Sequence, residues 1–201
     1  MKTLQIFPTS INRPYIEQAV RAIENGEIII YPTDSLYALG TDALSARAIE
    51  RLCATKGIDP ARQQLSVVCA DMSQAAEYAR IDNRAFAIMK RHLPGPCTFI
   101  LPAGSKLPKP FKGRRTVGIR IPDNAIATAL ARELGRPIIT TSVEADPDCP
   151  ELAADPAALA GKYAYAATLA IDGGEGSLTP SAIVDLTDSS APKVLRGEID
   201  L

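Results

Sequence analysis

The sequence holds a single histidine, His92, so any serine, histidine and acid relay would have to run through that one residue. It falls in a helical pattern just before Pro94, where a surface or helix-end role is the simpler expectation. The four cysteines, Cys53, Cys69, Cys97 and Cys149, contain no CxxC pair, which argues against a zinc site and fits buried free thiols. No apolar run approaches the roughly 18 residues of a membrane span. The opening Met1-Lys2-Thr3-Leu4-Gln5-Ile6-Phe7-Pro8 lacks the apolar centre of a secretion leader. Together these absences predict a cytoplasmic protein. Neither charge sign dominates: 22 Lys and Arg face 23 Asp and Glu, a net charge of −1 that argues against bulk affinity for nucleic acid or membrane. Nucleophile-elbow, dinucleotide-fingerprint and P-loop motifs are missing too. The cluster Asp172-Gly173-Gly174-Glu175-Gly176 is not followed by Lys-Ser/Thr.

What is present is a mixed pattern of helix and strand periods over 201 residues, a length that favours one domain spanning 1–201. Apolar residues at helical spacing predict helices over 13–25, 45–55, 73–78, 83–91, 124–134 and 156–163. Asn25-Gly26 and Gly135 supply stop signals, and Ser45 is a start signal. Short apolar runs predict strands over 27–31, 65–69, 98–101, 116–121, 138–142, 169–172 and 182–185, with a last short one at Val194 and Leu195. The residues 144–155 and 173–180 read as loops. Because the alternation is not strictly βαβ, the expected fold is α/β with a twisted mixed sheet flanked by helices.

Polar residues gather where the strands end. Thr33-Asp34-Ser35 follows the first apolar strand, Arg120 ends another, Thr140-Thr141-Ser142 ends a third, and Ser181 precedes a fourth. Each hydroxyl alone reads as a turn or a cap. Four such places at strand ends point to a groove for phosphate or carboxylate groups. Lys106, Lys109, Lys112, Arg114 and Arg115 form a basic stretch that leads toward Arg120. Taken alone it reads as a solvated loop; beside the groove it is expected to add modest, salt-sensitive affinity for RNA.

The segment Pro32-Thr33-Asp34-Ser35-Leu36-Tyr37-Ala38-Leu39-Gly40 resembles the PTDTxYGLG signature of the YrdC family. The resemblance continues in order through Lys56-Gly57, Pro94-Gly95-Pro96-Cys97-Thr98, Val117-Gly118-Ile119-Arg120-Ile121-Pro122 and Pro137-Ile138-Ile139-Thr140-Thr141-Ser142. It ends with Ser181-Ala182-Ile183-Val184-Asp185 and Leu195-Arg196-Gly197. It implies a YrdC-like fold with a large basic concave groove, and synthesis of L-threonylcarbamoyladenylate for tRNA t6A modification. The substrates would be L-threonine, bicarbonate and ATP, with Mg²⁺, and chemistry by positioning without a distinct catalytic acid or base. The resemblance places Thr33, Tyr37, Arg120, Thr140 and Ser142 on the substrate side, and Lys56, Ser181 and Arg196 on the nucleotide side. Two departures stand out: Ile58 occupies the place of an arginine in the family's Lys-x-Arg, and Glu144 that of the asparagine in Ser-x-Asn. Arg62 is the candidate to replace the missing guanidinium. These departures, with Asp82-Asn83, Met89-Lys90 and Asp185-Leu186-Thr187-Asp188, resemble the YciO branch. They also keep open a non-catalytic module of the same fold that binds double-stranded RNA or ribosome precursors.

Overall fold

The structure, a computed structural model, describes residues 1–59, 63–112 and 115–201. Arg62 and Arg114 therefore lie outside the described residues. Ten strands form one mixed sheet: β1 (Lys2–Gln5), β2 (Ile28–Tyr31), β3 (Ala38–Asp42), β4 (Ser66–Val68), β5 (Cys97–Pro102), β6 (Thr116–Arg120), β7 (Ile138–Ser142), β8 (Ala167–Asp172), β9 (Ala182–Asp185) and β10 (Lys193–Arg196). Their spatial order is β1-β8-β2-β3-β7-β4-β6-β5-β9-β10. The β1/β8, β2/β8, β4/β6 and β5/β9 pairs are parallel, and the other five are antiparallel.

The helices are α1 (Arg13–Glu24), α2 (Ala46–Thr55), α3 (Met72–Tyr78), α4 (Asn83–His92), α5 (Lys109–Lys112), α6 (Ala125–Leu134) and α7 (Pro156–Lys162). Side chains of Asn12, Ser45, Asp71, Asp82, Asn124 and Asp155 accept hydrogen bonds from the first free N–H groups, which fixes where six of them start. Gly135, at φ 68°, closes α6 in the left-handed conformation that only glycine adopts without penalty.

The two faces of the sheet are covered unequally, and that difference positions the site. On one face Ile28, Ile30, Leu39, Val67, Phe99, Ile119 and Ile139 pack with residues of α2, α3, α4, α5 and α7. On the other, Ile29, Tyr31, Ala38, Val68 and Ile138 pack under α1 and α6 alone. The strand alternation also directs Thr140, Ser142 and Ser66 to this second face, and they remain half-exposed on interior strands. The centre of the sheet is therefore left open on one side.

Two strands escape the sequence pattern. Strand β1 is a four-residue edge strand with only Leu4 buried, too short to show a period. Strand β3 carries glycine and aspartate, poor strand formers, yet all five residues are buried between β2 and β7. Tertiary pairing overrides propensity there. Helix α5 was not expected either, and residues 150–153, read as loop, form a 3₁₀ turn. Three cysteines are buried free thiols, and burial pushes the Cys97 thiol up to about 11.

Gly118 is required by close approach. A Cβ there would collide with Ser66 Oγ and sit 3.1 Å from Thr98 Cγ2. Gly118→Ala should cost about 1–3 kcal/mol by overpacking. The Ser66→Gly, Gly118→Ala pair should recover most of it, read as the urea midpoint of each variant.

Candidate functional site

The open centre is floored by small residues. One row across the sheet reads Gly40, Thr140, Ser66 and Gly118 on β3, β7, β4 and β6. Tyr31 and Ile138 close over Gly40, and Ser66 and Thr98 close over Gly118, while Thr140 and Ser66 stay half-exposed. Hydroxyls line this row, and an arginine stands at one side.

That arginine is Arg120, at the end of β6 and 4 % exposed. Its Nη2 donates to Thr33 Oγ1 at 3.0 Å and to Ser35 Oγ at 2.7 Å, and it pairs with the Asp34 carboxylate. Asp34 also accepts from Asp123 N at 2.8 Å, and Thr33 Oγ1 donates to Leu36 O at 2.7 Å. The loop between β2 and β3 is thus pinned onto the end of β6. All these bonds use Nη2. Nη1 has no partner among the described residues, and Nε is buried without one. A buried guanidinium with unused donors suits an incoming carboxylate or phosphate.

Around it, Tyr31 OH donates to Thr140 Oγ1 at 2.9 Å. Burial pushes the Tyr31 hydroxyl up to about 12, partly offset by the Thr140 bond and the positive charge of Arg120, so it stays a neutral donor. Ser142 lies opposite Ala38 at the end of β7. Thr98, across the β5/β6 ladder from Arg120, lies 3.3 Å from the Ser181 hydroxyl. Arg196 on β10 is exposed, yet it donates to Ser181 O at 2.9 Å and to Ser181 Oγ at 3.3 Å.

Lys56 lies at the C-terminal cap of α2. Its side chain is only 6 % exposed, and Nζ sits 2.6 Å from the Glu144 carboxylate. Glu144 is two residues beyond Ser142. Lys162 Nζ donates to its carbonyl at 2.7 Å, and its N–H donates to Tyr163 OH at 3.0 Å. The Lys56 hydrogen bond and charge hold the Glu144 carboxyl below its ordinary range. Ile58 packs against the apolar core beneath, so that position is part of the packing of the first face. Tyr37 is fully buried; its OH donates to Gly174 O at 2.7 Å and accepts from Gly173 N at 3.1 Å. Tyr37→Phe should loosen that loop and cost about 1–2 kcal/mol, checked by thermal melting and by faster hydrogen exchange at Gly173.

Hydrogen bonds thus join Thr33 to Arg120 and Ser181 to Arg196; in the register Val68 and Ile138 stand level with Arg120, and Ser142 lies four residues further along β7. Lys56 meets the chain that leaves β7 through Glu144. The site also contains Tyr31, Ser66, Thr98 and Gly118, which were not singled out as ligand residues. A serine and a glycine inside otherwise apolar strands were the available signal. His92 ends α4 with its ring 6.3 Å from that of Phe99, and no hydrogen bond ties it to these groups. Among the described residues no three His, Cys, Asp or Glu side chains group as metal ligands, and no helix is long and apolar enough to cross a membrane.

The comparisons with known proteins agree with this architecture. The profile of the Sua5/YciO/YrdC family, described as telomere recombination, matches residues 21–197, and the chain belongs to that family. It is 35 % identical over 198 residues to the Escherichia coli protein YciO, covering 98 % of this chain and 95 % of that one. The E. coli YciO crystal structure superposes with a TM-score of 0.86 at 33 % identity, over the same shares of the two chains. The Bacillus subtilis threonylcarbamoyl-AMP synthase is 37 % identical over 136 residues, 66 % of this chain and 39 % of the synthase. The structure of P. abyssi Sua5 complexed with L-threonine superposes with a TM-score of 0.86 at 29 % identity, covering 98 % of this chain and 57 % of Sua5. The family therefore includes threonylcarbamoyl-AMP synthases, and the match to YciO runs nearly end to end.

Proposed function

We propose that the chain makes L-threonylcarbamoyladenylate from L-threonine, bicarbonate and ATP. The observation that carries this reading is the buried Arg120, pinned by Thr33, Asp34 and Ser35 beside an uncovered row of hydroxyls. In the first step the threonine amine joins bicarbonate, water leaves, and a carbamate forms. A carbamate oxygen then attacks the α-phosphorus of ATP; the new P–O bond forms as the bond to pyrophosphate breaks. Arg120, through Nη1, holds the threonine carboxylate, and Thr33, Thr140 and Ser142 orient the amine side. Tyr37 holds the glycine loop over it. Lys56, Ser181 and Arg196 face the nucleotide, where fixed cations and hydroxyls neutralise developing charge. Mg²⁺ enters as part of the MgATP substrate. The product is an activated acyl donor for tRNA t6A modification.

A second reading rests on two features. Glu144 already neutralises Lys56, and Ile58 packs inward where the resemblance implies arginine, so among the described residues the nucleotide side has little free positive charge there. That favours a module that holds RNA in the same groove without turnover. The two readings part in one assay. With ATP, bicarbonate and L-threonine, the synthase releases pyrophosphate and the adenylate in equal amounts, and only when all three are present. A chain that makes neither, yet retains duplex RNA with a steep salt dependence, is the binding module.

A further inference from the structure

We propose a second ligand site, for a small phosphate monoester, at the far end of the β5/β6 hairpin. It does not depend on the proposed synthase activity. A pocket of about 470 Å³ opens there, lined by Arg80, Pro102, Ala103, Gly104, Ser105, Leu107, Phe111 and Arg115. Its charged groups are two arginines, and no carboxylate lines it among the described residues. In a chain with net charge −1 that is a local reversal of sign.

The backbone fixes how the two arginines stand. Arg80 N donates to Pro102 O at 2.9 Å, and Ala103 N donates to Arg115 O at 2.8 Å. An isolated bridge pairs Ala79 with Ala103. The segment ending β5 therefore runs between the two arginine-bearing segments, which lie about two strand spacings, roughly 10 Å, apart. Long side chains from both sides can close on one oxyanion from opposite directions. Neither arginine has an ion-pair or hydrogen-bond partner for its side chain among the described residues. The neighbouring Lys106, by contrast, is engaged with Glu77 at 2.8 Å and lies over the Tyr78 ring. Arg115 also holds φ 60°, a left-handed conformation costly for an arginine. Such a conformation persists where the surroundings enforce it, and here it accompanies a charged residue that lines the cavity.

The floor is apolar, with Leu107 and Phe111 each 1 % exposed beneath it. Two guanidinium groups above an apolar floor suit a dianionic head on an apolar body. A phosphate monoester supplies that charge near neutral pH, and arginine recognises it through paired N–H donors. The volume admits a small molecule.

The test is an NMR titration of the full chain, observing arginine Nε–Hε signals, with phenyl phosphate and inorganic phosphate as probes. Phenyl phosphate should shift Arg80 and Arg115 together and saturably, and bind more tightly than inorganic phosphate. Arg80→Gln and Arg115→Gln, both at exposed positions, should each weaken it about tenfold. Lys56→Ala should leave it unchanged, which separates this site from the groove. Non-saturating shifts, shifts at Arg120 alone, or binding by either arginine variant as tight as the parent's would overturn the proposal. So would binding seen only with duplex RNA, which would make the patch a polyanion surface.

Discussion

Replacing Arg120 by alanine is expected to lower stability by about 3–5 kcal/mol and to abolish L-threonine binding. The size follows from burial on both sides of the pair: the Arg120 side chain is 5 % exposed and that of Asp34 8 %. Removing the guanidinium strands a carboxylate out of water and frees the loop that Thr33 and Ser35 anchor. Asp34→Ala removes the stranded charge, so the double variant should be less damaged than the sum of the singles. A double-mutant cycle on urea unfolding measures that coupling. A strictly additive result would show that the pair does not act as a unit.

The second large effect concerns Lys56. Glu144→Asn should raise ATP affinity about tenfold by releasing a lysine that the carboxylate now occupies. Lys56→Ala should lower it by a similar factor and also remove the gain from Glu144→Asn, because both changes act on one charge. The pH dependence has a definite sign. The Glu144 carboxyl is held below its ordinary range, so the ion pair is intact above the unfolded-state value and is lost only as pH falls through the lowered one. ATP affinity should therefore be flat across neutral pH and gain its freed lysine only in acid, as titration calorimetry at several pH values would show. Ile58→Arg is a different case. Because Ile58 packs against the core, an arginine there must leave the packing before it can meet a phosphate. Its expected mark is lost stability, with little gain in affinity.

Much of the fold was legible in periodicity. The runs that became β2 and β5 are apolar because their residues are buried along nearly their whole length, whereas β7 turns polar where its residues become half-exposed. The cap at Ser45 was legible as well, since a short polar side chain before an apolar period has a local cause. Strand β3 was not, because its Gly40 and Asp42 are explained only by neighbours: Gly40 admits Tyr31 and Ile138, and Asp42 pairs with Arg136 at 3.1 Å.

At the site, the strand-end hydroxyls and Arg120 could be read from their positions. Which of them touch could not, since Arg120 and Thr33 meet across 87 residues of sequence. The same distance hid the meaning of Glu144. In sequence it is a carboxylate where phosphate should bind; in the fold it is the partner of Lys56. The openness of the second face was equally silent, because it depends on which helices cover which strands.

The most direct measurement of the site is calorimetric titration of L-threonine into the full chain. Saturable binding, selective over D-threonine and lost in Arg120→Gln while the variant remains folded, is the predicted result. No binding, or binding that survives Arg120→Gln unchanged, would contradict the assignment of this groove to the amino-acid substrate.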